Sequence, residues 1–180
     1  MALLGPTAVV LATVAAGCGS PAAKPYLSSK ILTVDDETQT VHLDLVAAET
    51  DGSNGFNFDG YGHGELRVSV PKGWTVDVTC TNASTAFTHS CAVVAGELGR
   101  IVSPTGGAVA FHGATIADAV SGCGYGTTET FSFVASAVGI YRIACLVVGH
   151  EADGMWDWFV VTGGGSPSVR TSTHALSPRG

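Results

Sequence analysis

Residues 144–156 read Ala144-Cys145-Leu146-Val147-Val148-Gly149-His150-Glu151-Ala152-Asp153-Gly154-Met155-Trp156. The run places a thiol, an imidazole and a thioether at even spacing, directly after the apolar segment Ile140-Tyr141-Arg142-Ile143-Ala144. Thiolate and imidazole around one metal, with a distant thioether on its axis, is the ligand chemistry of a blue-copper centre, which requires two imidazoles. The run holds one. The second has to come from another strand, and Phe87-Thr88-His89-Ser90 offers it. His89, Cys145, His150 and Met155 are therefore the candidate ligands of one copper ion. Cys145 stands at a strand end, with His150 and Met155 on the turn into a Trp156 strand. The metal then sits at one end of a β-structure.

Outward from that loop, the pattern is β throughout. Trp74, Val76, Val78 and Cys80 alternate with Thr75, Asp77, Thr79 and Thr81, and Leu66-Arg67-Val68-Ser69-Val70 alternates up to Pro71. This is the period of a half-buried strand. Ile31–Val34, Val41–Leu45, Cys91–Val94, Thr130–Val134, Ile140–Ala144 and Trp156–Val161 complete a set of short strands punctuated by turns. The spacing predicts an all-β sandwich. Residues 96–127 are Gly-rich and irregular, with one helical turn expected near Ile116–Val120.

The chain has 180 residues, 46% of them hydrophobic, enough for one buried core. Its formal charge of −7 argues against nucleic acid, whose phosphates call for clustered Lys and Arg, and leaves open a basic protein partner. Residues 1–17 are apolar and uncharged, the pattern of a signal peptide, and Ala15-Ala16-Gly17-Cys18 resembles a lipoprotein cleavage box. The expected organisation is a signal at 1–17, a lipid-bearing Cys18 opening a flexible tether at 18–29, the domain at 30–162 and a disordered Gly/Ser/Pro-rich tail at 163–180. This implies an extracytoplasmic protein, anchored by an N-terminal lipid to the outer face of the cytoplasmic membrane.

With Cys18 reserved for lipid and Cys145 for metal, Cys80, Cys91 and Cys123 remain, and an exported chain is expected to form a disulfide. Alternation turns Cys80 and Cys91 inward and favours their pairing, although Cys123 could capture either one. His42, His63, His112 and His174 read as surface or structural residues, His112 being the one nearest to a further role. Asn82-Ala83-Ser84 matches a glycosylation sequon, a motif frequent by chance.

In Gly55-Phe56-Asn57-Phe58-Asp59-Gly60, Val70-Pro71-x-x-Trp74, Phe87-x-His89-Ser90 and Cys145-x4-His150-x4-Met155-Trp156, the chain resembles cupredoxins and is most similar to the sulfocyanin family, over about residues 55–162. The resemblance implies a cupredoxin-like Greek-key β-sandwich with a mononuclear copper site at one end, and a monomeric electron carrier that meets redox proteins transiently. Such a site has no open position for a substrate, so no enzymatic activity is expected. The alternative is a protein that delivers or sequesters copper. Sites of that kind favour several labile Met and His ligands, and this chain has two Met, one of them Met1. A catalytic copper site and a metal-free structural sandwich are more distant readings.

The family's usual Pro before Gly-His is Val148 here, which is expected to loosen the loop. Glu151, Asp153 and Asp157 crowd the same loop, and their negative charge is expected to favour Cu(II) and lower the potential.

Overall fold

The computed structural model describes residues 31–95 and 109–172. The strands are β1 (Leu32–Asp35), β2 (Thr40–Ala47), β3 (Leu66–Pro71), β4 (Thr75–Asn82), β5 (Ala92–Val94), β6 (Thr128–Val134), β7 (Gly139–Ala144), β8 (Trp156–Thr162) and β9 (Ser168–Thr171). They form two sheets, ordered β1-β2-β4-β6 and β5-β7-β8-β3-β9. The pairs β2–β4 and β3–β8 are parallel and the others antiparallel. The chain switches sheets repeatedly, so consecutive strands such as β3 and β4, or β6 and β7, face each other across the core instead of pairing.

The alternation seen in the sequence accounts for the packing. In β4, Val76, Val78 and Cys80 are buried while Thr75, Asp77 and Thr79 are half-buried. They meet Val68 and Val70 of β3, Ile143 of β7 and Phe159 and Val161 of β8 in one apolar cluster that spans both sheets. Burial of these side chains, each worth roughly 1.5–3 kcal/mol, is what holds the sheets face to face. Cys80 and Cys91 are joined by a disulfide that ties the end of β4 to the segment leading into β5.

One expectation is corrected. The domain does not end at residue 162 with a disordered tail, because Ser168–Thr171 form β9, the edge strand alongside β3, with Leu66 opposite Thr171 and Ser69 opposite Ser168. Val169 packs half-buried against the core. The Gly163–Pro167 run is a turn that returns the chain to the sheet, and β9 covers backbone groups that β3 would otherwise expose. The helical turn expected near Ile116–Val120 is present as one turn over residues 117–121, closed by the Gly122 N–H on the Asp118 carbonyl at 2.8 Å, four residues back. The expected signal, Cys18 and the tether lie outside the described residues, as does the tail beyond Ser172.

Candidate metal centre

Strand direction brings the ligand candidates to one end of the sandwich. Strands β2, β4 and β7 finish there and β3, β5, β6 and β8 begin there, so residues 48–65, 83–91, 117–127 and 145–155 are neighbouring loops. Cys145 follows β7 directly, and residues 145–155 close a β7–β8 hairpin. Five backbone bonds shape that loop: His150 N–H to Val147 O (3.1 Å), Asp153 N–H to Gly149 O (3.0 Å), Gly154 N–H to Glu151 O (3.1 Å), Met155 N–H to His150 O (2.9 Å) and Cys145 N–H to Met155 O (3.2 Å). The loop is thus tied at both ends despite Val148 in place of Pro. Gly154, at φ +103°, lies under the His63 ring, which a Cβ would collide with.

His89 is pinned from the other side. It exchanges both backbone hydrogen bonds with Cys123, at 2.8 and 3.1 Å. A Cβ on Gly122 (φ +69°) would stand 2.8 Å from the His89 carbonyl, so that close approach requires glycine. Asn82 fastens the surroundings: its amide donates to the Phe87 and Cys123 carbonyls at 3.0 and 2.7 Å and its carbonyl oxygen accepts from Ser84 N–H at 2.8 Å. The sequon match is therefore a buried structural tie.

The result is a triangle of donor atoms. His89 Nδ1 and His150 Nδ1 are 3.2 Å apart, and Cys145 Sγ stands 3.4 Å from the second and 4.0 Å from the first. These edges put their common centre about 2.1 Å from each atom, within the roughly 2.0–2.3 Å of metal–imidazole and metal–thiolate bonds. All three residues are buried, and they are the group among the described residues with metal-binding spacing. Two ring nitrogens and a sulfur aiming lone pairs at one point repel each other unless a cation or proton lies between them. A soft N₂S set with a thioether neighbour selects copper. Met155 is fully buried and bonded through its backbone to both His150 and Cys145. His42, His63 and His112 stay outside the donor set, and His174 lies outside the described residues.

Electrostatics prepares the ligands. Burial, with His150 adding to it, pulls His89 down to about 4, and burial lowers His150 against the opposing Asp153 charge. Both rings are neutral at neutral pH, as ligands must be. Burial pushes the Cys145 thiol up against hydrogen bonds from Ser90 and Val147, so a metal is what makes it a thiolate.

Ser90 is a residue whose role the sequence reading missed. Its N–H donates to Cys145 Sγ at 3.3 Å. Its hydroxyl accepts from Leu146 N–H at 2.8 Å, which leaves its proton for Sγ at 3.6 Å. Bonds to the sulfur favour the reduced metal, whose thiolate is more negative. Replacing Ser90 by Ala should lower the potential by about 40 mV, the equivalent of one hydrogen bond of about 1 kcal/mol in a one-electron couple. A redox titration giving an unchanged or higher potential would contradict this.

The acidic crowding expected around the loop is largely cancelled. Glu151 is buried against Arg142, whose Nε and a terminal nitrogen donate to one carboxylate oxygen at 3.0 and 2.9 Å. Burial pushes Asp157 up to about 8, so it is protonated at neutral pH. Only Asp153 remains as an exposed charge in the loop. The expected fall in potential therefore loses two of its three sources.

Asp59 of the Phe56-Asn57-Phe58-Asp59-Gly60 run behaves like Asp157. Burial, with Glu49 adding to it, raises it to about 7, while one oxygen accepts from Val46 N–H at 3.3 Å and the other is buried without a partner. Its folded value lies above the unfolded one of about 3.9, so its contribution is complete below about pH 4 and lost as pH rises through about 7. Asp59→Asn keeps the acceptor and tolerates the φ of 53° at this position. In denaturant unfolding of the metal-free chain, the variant should come close to the parent at pH 4 and exceed it by about 3–4 kcal/mol at pH 7.5. An equal difference at both pH values would contradict the assignment.

That run also sets the ring of Phe56 against His150, with centroids 4.8 Å apart, and 5.6 Å from Phe87. Phe87 in turn stands 6.1 Å from His150 and 6.4 Å from His89. Asn57 holds the turn, donating to the Thr50 and Gly52 carbonyls at 2.8 Å each. Two aromatic rings thus screen the histidines from water.

Comparison with known proteins agrees with this geometry. Residues 28–169 match the family model described as the sulfocyanin (SoxE) domain. Sulfocyanin of Sulfolobus acidocaldarius is 29% identical over 137 residues, a match that covers 73% of this chain and 64% of that protein's length. Among solved structures, reduced rusticyanin superposes with a TM-score of 0.50 at 24% identity, over 76% of this chain and 88% of its own, a likeness of fold. Auracyanin from the photosynthetic bacterium Roseiflexus castenholzii gives 0.48 at 25% identity, over 67% and 96%. A two-sheet sandwich, a buried His-Cys-His triangle beside Met155, and a family match across most of the chain together place this protein in the sulfocyanin family of cupredoxins.

Proposed function

We propose that the protein is a type 1 (blue) copper electron carrier, working as a monomer in an extracytoplasmic redox chain and not as an enzyme. The observation that carries this reading is the buried triangle of His89, Cys145 and His150, held by two separately pinned loops. Copper bound there supplies the one-electron Cu(I)/Cu(II) couple. The chain's own residues do the rest. His89 and His150 present neutral nitrogens, and Cys145 presents a sulfur held in place by Ser90. Met155 lies buried at the close of the same loop. The backbone ties keep these donors from moving between oxidation states, which lowers the reorganisation that electron transfer costs. Phe56 and Phe87 exclude water, and His150, the most exposed of the three triangle residues at 8%, is the point of electron entry.

The Cys80–Cys91 disulfide supports an oxidising compartment, as does the apolar 1–17 segment before Cys18, the residue that would carry a lipid anchor in the membrane. The test is the visible and paramagnetic resonance spectrum of the Cu(II)-loaded chain. An intense thiolate-to-copper band with narrow copper hyperfine splitting, bleached and restored through a reversible one-electron cycle, is the expected result. A pale tetragonal spectrum would remove the electron-carrier reading.

A further inference from the structure

The β3–β9 ladder carries two arginines side by side on its outer face. Leu66, Val68 and Val70 of β3 and Val169 of β9 turn into the core, so Arg67, Ser69, Ser168 and Arg170 turn outward. The register sets Arg67 opposite Arg170 and Ser69 opposite Ser168. Both arginines are exposed and both serines half-buried. Like charges directly opposite on two strands repel, and a carboxylate close by would relieve them. The ion pairs among the described residues are His42–Asp77 and Arg142–Glu151, and Glu65, two positions before Arg67, pairs with neither arginine of the ladder. Among the described residues, none of the four outward side chains has a hydrogen-bond partner. Half-buried Trp158 of β8 stands opposite Arg67 on its other side and walls the face there. In a chain of formal charge −7 this is a local reversal of sign, since the other described cations are Arg142, buried against Glu151, and Lys72, just past the end of β3.

We infer that this face is an oxyanion site, which takes a phosphate group, free or in a lipid headgroup, between Arg67 and Arg170 with Ser69 and Ser168 donating beside them. Two guanidinium forks and two hydroxyls offer donors with no acceptor to take them. Paired strands lie about 4.8 Å apart and successive outward residues about 6.7 Å apart, a grid that long arginine side chains can close around one tetrahedral anion. The planar fork of arginine matches phosphate oxygens two at a time. An anion held there turns the repulsion between the two guanidinium groups into attraction for both. The site uses none of the copper ligands and does not depend on the electron-carrier reading.

The experiment is a titration of the reduced, copper-loaded full chain with inorganic phosphate against chloride at constant ionic strength, followed through backbone amide shifts. The shifts should saturate over residues 66–70 and 168–171 with a Kd on the order of 1 mM. Arg67→Gln/Arg170→Gln should weaken binding roughly tenfold or more, and Lys72→Gln should leave it within about twofold. The double substitution relieves a like-charge contact, so its unfolding midpoint in phosphate-free buffer should equal or exceed the parent's, which also shows that it folds. Flotation with phosphatidylglycerol vesicles separates the two sources of the ligand. Retention that the double substitution removes identifies the headgroup, whereas saturable phosphate binding without such retention identifies free phosphate. Shifts that do not saturate, or that Lys72→Gln reduces as far as the double substitution does, would mean diffuse charge and no site. Either of these, with vesicle retention indifferent to the double substitution, overturns the inference.

Discussion

Cys145→Ser will abolish the intense visible band of the Cu(II)-loaded protein, and Cys123→Ser will leave it intact. Both cysteines are buried and both lie outside the disulfide, so composition alone cannot distinguish them. Their surroundings can. Cys145 Sγ faces two imidazole nitrogens at 3.4 and 4.0 Å and receives the Ser90 N–H at 3.3 Å. Cys123 Sγ donates to Glu129 at 2.9 Å, and its connection to the site runs through backbone bonds to His89. The band requires charge transfer from a soft thiolate, and a serine hydroxyl, far harder and less acidic, cannot supply it at neutral pH. The Ser90 donors would still hold a serine oxygen in place, so the variant should fold, and any copper it binds will have the pale spectrum of nitrogen and oxygen ligands. Absorption and paramagnetic resonance of the two variants side by side decide the point. A band retained in Cys145→Ser, or lost in Cys123→Ser, would mean that the ligand set is wrong.

The ligand set was legible because three of its members share one hairpin, where distance in sequence and distance in space are nearly the same. His89 comes from β5's lead-in, and its reading relied on strand adjacency that the β5–β7 pairing supplies. The β4 alternation was equally plain, since each second residue enters the core. What stayed hidden depends on contacts between segments far apart in the chain. Ser90 acts on a sulfur 55 positions away. Asn82 looked like a surface motif, yet its side chain holds two loops together. β9 was concealed by the Gly and Pro of the turn before it, because local composition outweighed a four-residue alternation. The charge of the ligand loop was misjudged for a similar reason: Arg142 sits on β7, and only the folded hairpin brings it to Glu151.

That ion pair carries the second large effect. Arg142→Met should destabilise the metal-free protein by about 3–5 kcal/mol, the usual consequence of leaving a buried charge without its partner. The side chains of Arg142 and Glu151 are 4% and 3% exposed, and the second Glu151 carboxylate oxygen is already buried without a hydrogen bond. With the guanidinium gone, the buried carboxyl loses its cation, so it must take up a proton or draw the loop open. Burial alone already raises its pKa against the pull of Arg142. Opening would be felt at the metal, since Glu151 follows His150 directly, and the copper of the variant should pass to a chelator faster than that of the parent. The double variant Arg142→Met/Glu151→Met should recover most of the lost stability, because replacing both partners of a buried pair with apolar groups is often neutral. Denaturant midpoints of the three metal-free proteins give the test. A single variant costing less than about 1 kcal/mol would show that solvent reaches Glu151. A double variant as unstable as the single one would show instead that the packing of the Arg142 stem, more than its charge, holds the ligand loop to β7.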